Sequence, residues 1–280
     1  MSTPGGVQSA FLKQLGSLLR EVSAREIMPR FRKLSAADVF QKPSQEDPKD
    51  LVTAADRAAE IALSERLCEL VAGSSVVGEE AVAADHSLLA RLRGSAPVWV
   101  VDPLDGTRNF AAGHGPFGVM AALVERGELL ASAIYLPERD QVFCAERGQG
   151  AYLDGERIVA SDAARDSSAP GALRGTPYAR FMPAAARAEL EKRSVTHTLI
   201  PGVTCAAHEY AELALARKDY VVYFRLLPWD HAPGALIVRE AGGVVRHPSG
   251  RDYAVLDEAE LTLAAPSEEL WQRARGELFE

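Results

Sequence analysis

The chain is poor in several features that would place it at once in a familiar class. It has three cysteines, Cys68, Cys144 and Cys205, too few and too scattered for a disulfide framework or a zinc site, and their number fits a reducing compartment. No stretch approaches the roughly 20 apolar residues that a membrane span needs. The opening MSTPGGVQSAFLK lacks the basic segment and apolar core of a secretory signal, so a soluble cytoplasmic protein is expected. Positive charge is also short: 31 Lys and Arg stand against 39 Asp and Glu, giving a formal net charge of -8 that argues against a broad nucleic-acid surface. It does not argue against a small phosphorylated ligand, because a bound cation overrides net charge locally. Repeats and low-complexity tracts are lacking too.

What is present is a folded-protein composition in which helical and strand-like periods alternate. At 280 residues the chain can bury a sizeable core, as one large domain or two smaller ones. Phe11, Leu15, Leu18, Leu19, Val22, Ile27 and Phe31 recur at helical spacing and predict one long amphipathic helix. The polar, proline-punctuated stretch 40–50 reads as a mobile loop. Thr53, three residues before Asp56, resembles an acidic capping box opening a helix that runs to Val71. Val76-Val77 reads as a short strand, with the backbone turning at Gly78 before the adjacent acids Glu79 and Glu80.

Further on, 119–124 and 129–135 predict a hairpin across Glu125-Arg126-Gly127-Glu128, with more strands at 142–145 and 150–153. Small polar residues over 161–171 suggest a junction. Two regions are expected, an N-terminal α+β region over 1–145 and a C-terminal α/β region over 146–280. Within the second, helices are expected over 184–192, 205–217, 232–241 and 268–275, and strands at 219–224, 244–245 and 261–263. Pro233 is tolerated near its helix start, and Asp230 is placed as that helix's cap.

The most informative stretch is Pro97 to Phe110, PVWVVDPLDGTRNF. Val98-Trp99-Val100-Val101 is apolar, β-branched and aromatic, the signature of a buried strand. Pro103 is expected to end its ladder, and Gly106 to permit a tight turn. Asp102 and Asp105 are either solvated acids at a strand end or a pair needing a cation. Two carboxylates at the mouth of a buried strand are costly without one, and Mg²⁺ prefers such oxygens while keeping waters for a phosphate ligand. His114, His208 and His231 lack compact metal-binding spacing and read as neutral packing residues. No Cys–His dyad is legible around Cys205, which reads as an inert small residue.

These pieces together resemble the inositol monophosphatase-like family of metal-dependent sugar and polyol phosphatases. The resemblance rests on Leu51-Val52-Thr53-Ala54-Ala55-Asp56, Gly78-Glu79-Glu80, Asp102-Pro103-Leu104-Asp105-Gly106-Thr107 and Trp229-Asp230-His231-Ala232-Pro233-Gly234, followed by Glu240-Ala241-Gly242-Gly243. It covers most of the chain and implies an α+β fold, a layered α/β/α/β/α sandwich, a homodimer and Mg²⁺-dependent hydrolysis of a small phosphate monoester. It implies that Glu79, Asp102 and the Leu104 carbonyl hold one Mg²⁺, that Asp102, Asp105 and Asp230 hold a second, and that Glu79 faces a weaker third, with Glu80 in support. Asp56 and Thr107 would orient the attacking water, with Glu79 joining the catalytic set, and Asp105, Gly106 and Thr107 would meet the phosphate. Cys205, His208, Glu209, Tyr223 and Arg225 are the substrate-side candidates. Inositol phosphatases tend to carry an acid where this chain has Tyr223, which supplies no charged acceptor for inositol hydroxyls, so inositol phosphate, another sugar or polyol phosphate, histidinol phosphate and a nucleotide-derived phosphate all stay open as substrates. Two alternatives stand beside this reading: a phosphatase of bisphosphorylated sugars or 3′-phosphonucleotides, and a non-catalytic protein that senses metal or phosphate and binds a partner.

Overall fold

In the computed structural model the described residues are 7–42, 50–160, 171–256 and 261–280. Helix α1 (Ala10–Val22) buries Leu12, Leu15, Leu18, Leu19 and Val22 on one face and is capped by Ser9, whose hydroxyl accepts from the Leu12 N–H. The expected single helix is shorter than its apolar stripe. The chain goes on through a π-helical turn at Ser23–Ile27 and a 3₁₀ turn at Met28–Arg30, because Pro29 has no N–H to continue the ladder.

Part of the expected loop at 40–50 is ordered pairing: β1 (Val39–Gln41) runs antiparallel to β2 (Leu51–Thr53). Residues 43–49 of that loop, and 161–170 of the expected junction, lie outside the described residues. Helix α2 (Ala54–Leu70) starts at Thr53 with a full capping box. Asp56 Oδ2 accepts from the Thr53 N–H, and the Thr53 hydroxyl accepts from Ala55.

A seven-stranded sheet follows in sequence order: β3 (Ser75–Gly78), β4 (Val98–Asp105), β5 (Gly118–Glu125), β6 (Glu128–Leu136), β7 (Gln141–Glu146), β8 (Gly150–Leu153) and β9 (Glu156–Ile158). Only β3 and β4 pair in parallel; every other neighbour is antiparallel. Helix α3 (Glu79–Ala84) leaves the end of β3, and α4 (Thr107–Ala111) the end of β4. The strand β4 does not stop at Pro103 as expected. Its pairing with β5 skips from Asp102 to Asp105, so Pro103 and Leu104 occupy a bulge, the one place inside a sheet where a missing N–H costs no ladder bond.

The second sheet has the order β11 (Thr198–Leu199), β10 (Arg174–Pro177), β12 (Tyr220–Phe224), β14 (Leu261–Ala265), β13 (Val244–Arg246). Its helices are α5 (Ala184–Arg193), α6 (Ala206–Ala214), α7 (Pro228–Glu240) and α8 (Glu268–Phe279). Strand alternation sorts the layers. Trp99 and Val101 pack with α1 and α2, whereas Val98 and Val100 pack with α6 and α7 and, through them, with Val221 and Tyr223 of the second sheet. Tyr220 and Val222 face the outer layer of Leu190, Leu270 and Trp271. The result is the layered α/β/α/β/α sandwich, and no helix among the described residues is long and apolar enough to cross a membrane.

Helix α7 departs from expectation in a way that matters. It begins at Pro228, with Leu227 at the cap position, so Asp230 sits inside the first turn rather than capping it, and Pro233 lies within the helix. Gly234 lets α7 approach α6: a Cβ there would stand 2.0 Å from the Tyr210 ring. Gly234→Ala is therefore expected to destabilise the fold by about 3 kcal/mol through overpacking, read as a lower midpoint in denaturant. An unchanged midpoint would mean that the two helices yield there.

Candidate active site

The bulge and turn at the end of β4 aim two acids into one cavity of about 230 Å³. Asp102 is 2% exposed, and its Oδ1 accepts from the Leu104 N–H at 3.0 Å. Asp105 Oδ2 accepts from the Ala207 N–H at 2.6 Å and from the Cys205 thiol at 3.0 Å. Gly106 then turns at φ +82°, where a Cβ would also stand 2.8 Å from the Pro116 carbonyl oxygen, so conformation and space both demand glycine. Glu79, from the start of α3, and Asp230, from the start of α7, line the same cavity, as do Leu104, Thr107, Cys205, Tyr223 and Arg225.

The electrostatics record how costly this grouping is. Burial pushes the Asp102 carboxyl well above its ordinary range, and the charges of Glu79, Asp105 and Asp230 add to the shift. Burial does the same to Asp230, again with Glu79 and Asp105 adding. Asp105 is pushed up to about 6 by burial, against the pull of its Cys205 and Ala207 hydrogen bonds. Burial also lifts the Cys205 thiol far above the thiolate range, so its sulfur is a donor and not a nucleophile.

Lys42 supplies a countercharge. Its Nζ lies 2.5 Å from Glu79 and 2.6 Å from Glu80. Burial alone would lower its pKa, but those two acids hold it above the ordinary value. Glu80 itself is pushed up to about 8 by burial and by Glu79. Glu60 of α2 fixes the start of α3, accepting from the Glu80 and Ala81 N–H groups at 2.8 Å each.

Asp56 stands behind this wall and does not line the cavity, but it reaches the cavity through Thr107. The Thr107 hydroxyl lies 2.9 Å from Asp56 Oδ1 and 2.9 Å from the Leu104 carbonyl oxygen. Burial lifts Asp56 to about 6, opposed by its bonds from Thr53.

Two of the residues expected on the substrate side point elsewhere in the fold. Glu209 is buried, accepts from the Tyr178 hydroxyl at 2.7 Å and pairs with Lys218 Nζ. His208 meets Arg139 at 2.7 Å and Glu212 at 3.9 Å. Neither lines the cavity, whereas Asp50, Tyr178, Arg180, Phe181 and His231, which the motifs did not single out for the site, do. His231 is held neutral, its pKa lowered to about 4 by burial.

Hard oxygen donors of this kind suit a divalent cation such as Mg²⁺, and several mutually repelling buried carboxylates need more positive charge than one lysine provides. Among the described residues no three His, Cys, Asp or Glu side chains converge tightly enough to hold an ion as they stand. One oxygen of Glu79 is engaged by Lys42, one of Asp102 by the Leu104 N–H, and one of Asp105 by Cys205 and the Ala207 N–H. The donor set fits the cation in its chemistry.

The inositol monophosphatase family model matches residues 10–278. A putative Nus factor SuhB of Neisseria meningitidis serogroup A is 34% identical over 224 residues, covering 78% of this chain and 80% of that protein. A fructose-1,6-bisphosphatase/inositol-1-monophosphatase of Thermotoga maritima is 31% identical over 204 residues, covering 73% of this chain and 74% of that protein. Among solved structures, the extragenic suppressor protein suhB from Bartonella henselae superposes with a TM-score of 0.80 at 25% identity, covering 97% of this chain and 99% of that one.

Proposed function

The chain belongs to the inositol monophosphatase family, and we propose that it is a metal-dependent hydrolase that cleaves a small phosphate monoester with Mg²⁺ by direct attack of water. The observation that carries this reading is the hydrogen-bonded link from Asp56 through Thr107 into a cavity lined by Glu79, Asp102, Asp105 and Asp230.

Those four carboxylates and the Leu104 carbonyl would hold the cations. When bound, Mg²⁺ neutralises phosphoryl oxygens, lowers the pKa of water and stabilises the departing alkoxide. Thr107 has one hydroxyl proton and two acceptor lone pairs. Donating that proton to Asp56 Oδ1 leaves its lone pairs to accept from, and so orient, an attacking water, and it leaves the Leu104 carbonyl free of that bond. Asp56 is the terminal acceptor of the water's proton along this link. The new water–phosphorus bond forms as the ester P–O bond breaks, the departing alkoxide takes a proton from solvent and Asp56 returns its proton to solvent, so inorganic phosphate and an alcohol leave without any phosphorylated side chain. The Gly106 turn brings backbone to the cavity edge where no side chain obstructs the phosphate.

Hydrolysis in ¹⁸O-labelled water, with intact-mass measurement after acid quench, tests this order of events. Label in the phosphate and unmodified protein are expected. Label in the alcohol, or a phosphorylated chain, would overturn it.

A further inference from the structure

Glu209 does not line the cavity, yet a buried chain of hydrogen bonds joins it to one of the cavity's acids. Glu209 and Lys218, which lies between α6 and β12, are 0% and 4% exposed and form an ion pair. Lys218 Nζ also donates to the Thr176 hydroxyl of β10 at 2.8 Å, and that hydroxyl donates to the Ile200 carbonyl at 2.9 Å. Through its other oxygen Glu209 accepts from the Tyr178 hydroxyl, which in turn accepts from the Val203 N–H at 2.9 Å. Asn109 of α4 holds the same residue from the opposite side. Its Nδ2 donates to the Val203 carbonyl at 2.9 Å and to the Pro116 carbonyl at 2.8 Å. Val203 is thus pinned at both its N–H and its carbonyl.

The next residue is what those pins work against. Thr204 has φ +51°, a left-handed conformation that is strained for a β-branched residue and persists only where its surroundings hold it. After it come Cys205, at the cap position, and the first turn of α6. The Cys205 thiol and the Ala207 N–H both donate to Asp105 Oδ2, so the way α6 begins sets the direction in which that carboxylate faces the cavity.

We infer, resting on the Mg²⁺ site of the proposed function, that Tyr178 and Glu209, braced by Lys218, are positioning residues for Asp105: they hold the strained turn at 203–204, and through it the start of α6, so that Asp105 meets the cation in a fixed orientation. A buried ion pair adds little stability over apolar packing of the same volume. What this one supplies is a fixed acceptor for the Tyr178 hydroxyl.

Calorimetric titration of metal-stripped protein with Mg²⁺ reads this effect without turnover. Tyr178→Phe keeps the ring and removes the hydroxyl between Glu209 and Val203. It is expected to weaken Mg²⁺ binding about tenfold, the scale of one hydrogen bond to a charged acceptor. The half-saturating Mg²⁺ for phosphate release is expected to rise by the same factor, with kcat at saturating Mg²⁺ changing less than about twofold. Adding Thr204→Gly to that variant is expected to recover most of the affinity, because glycine adopts the left-handed turn unaided. Glu209→Leu with Lys218→Met removes the acceptor and leaves no charge buried, and it is expected to show the same loss of about tenfold. Glu209→Gln with Lys218→Met keeps an acceptor for Tyr178 and is expected to stay within about threefold of the wild type.

Wild-type Mg²⁺ affinity in Tyr178→Phe, whatever its thermal midpoint, would reduce these bonds to packing and overturn the inference. So would a loss of affinity that Thr204→Gly leaves unchanged, since its cause would lie outside the turn. The expected order of Mg²⁺ affinities in protein that releases no phosphate from any ester would remove the hydrolase reading and leave the positioning of Asp105 standing.

Discussion

Asp102→Asn is expected to cut phosphate release by about a thousandfold, on the order of 4 kcal/mol of barrier, while leaving the thermal midpoint in chelator at or above that of the wild type. The two halves of this result have one cause. Asp102 is buried on the bulged end of β4 among Glu79, Asp105 and Asp230, and in its charged form it is repelled by all three. A neutral amide of the same shape relieves that repulsion, so the fold loses nothing. The same change replaces a charged oxygen ligand by a weak neutral one, and Mg²⁺ binds hard charged oxygens. Titration calorimetry with Mg²⁺, paired with phosphate release, checks both halves. Wild-type turnover with unchanged Mg²⁺ affinity would remove Asp102 from the metal set.

Asp56→Asn is expected to separate turnover from metal binding. Its kcat is expected to fall about a hundredfold, the lower end of what a positioned proton acceptor supplies, with Mg²⁺ affinity changed by no more than about threefold, since Asp56 does not line the cavity. Stability falls as well. Asp56 Oδ2 accepts from both the Thr53 N–H and the Thr53 hydroxyl, while Oδ1 meets Thr107. An amide has one oxygen where the carboxylate has two, so one side of this arrangement loses its acceptor, at about 1 kcal/mol for a broken cap. A melting shift with normal turnover would reduce Asp56 to a capping residue.

The parts of this site that could be read from the sequence are those with local causes. Val98 to Val101 declared a buried strand by side-chain type, and Thr53 with Asp56 declared a helix start, because a capping box closes within one turn. Expectation and structure part where two local rules compete. Pro103 signalled a strand end, but a bulge gave it a place inside β4. Asp230 carried the signature of a cap, but Pro228, well suited to a first helical position, started α7 earlier and carried Asp230 into the turn.

The rest depends on pairings between distant segments, which a single sequence does not display. Nothing around Lys42 announces that it meets Glu79 and Glu80, and Arg225 meets Phe181 only after β10 and β12 have paired. Glu60 had a faint signal: it lies one turn beyond Asp56 on the same helix, where i and i+4 residues share a face.

Metal-dependent hydrolysis is tested most directly by phosphate release from a panel of small esters, with metal-stripped protein to which Mg²⁺ is added back. No release is expected in chelator, and Mg²⁺ is expected to restore turnover in step with its binding. Undiminished release from metal-free protein, or no release from any ester once Mg²⁺ is bound, would contradict the reaction proposed for this site.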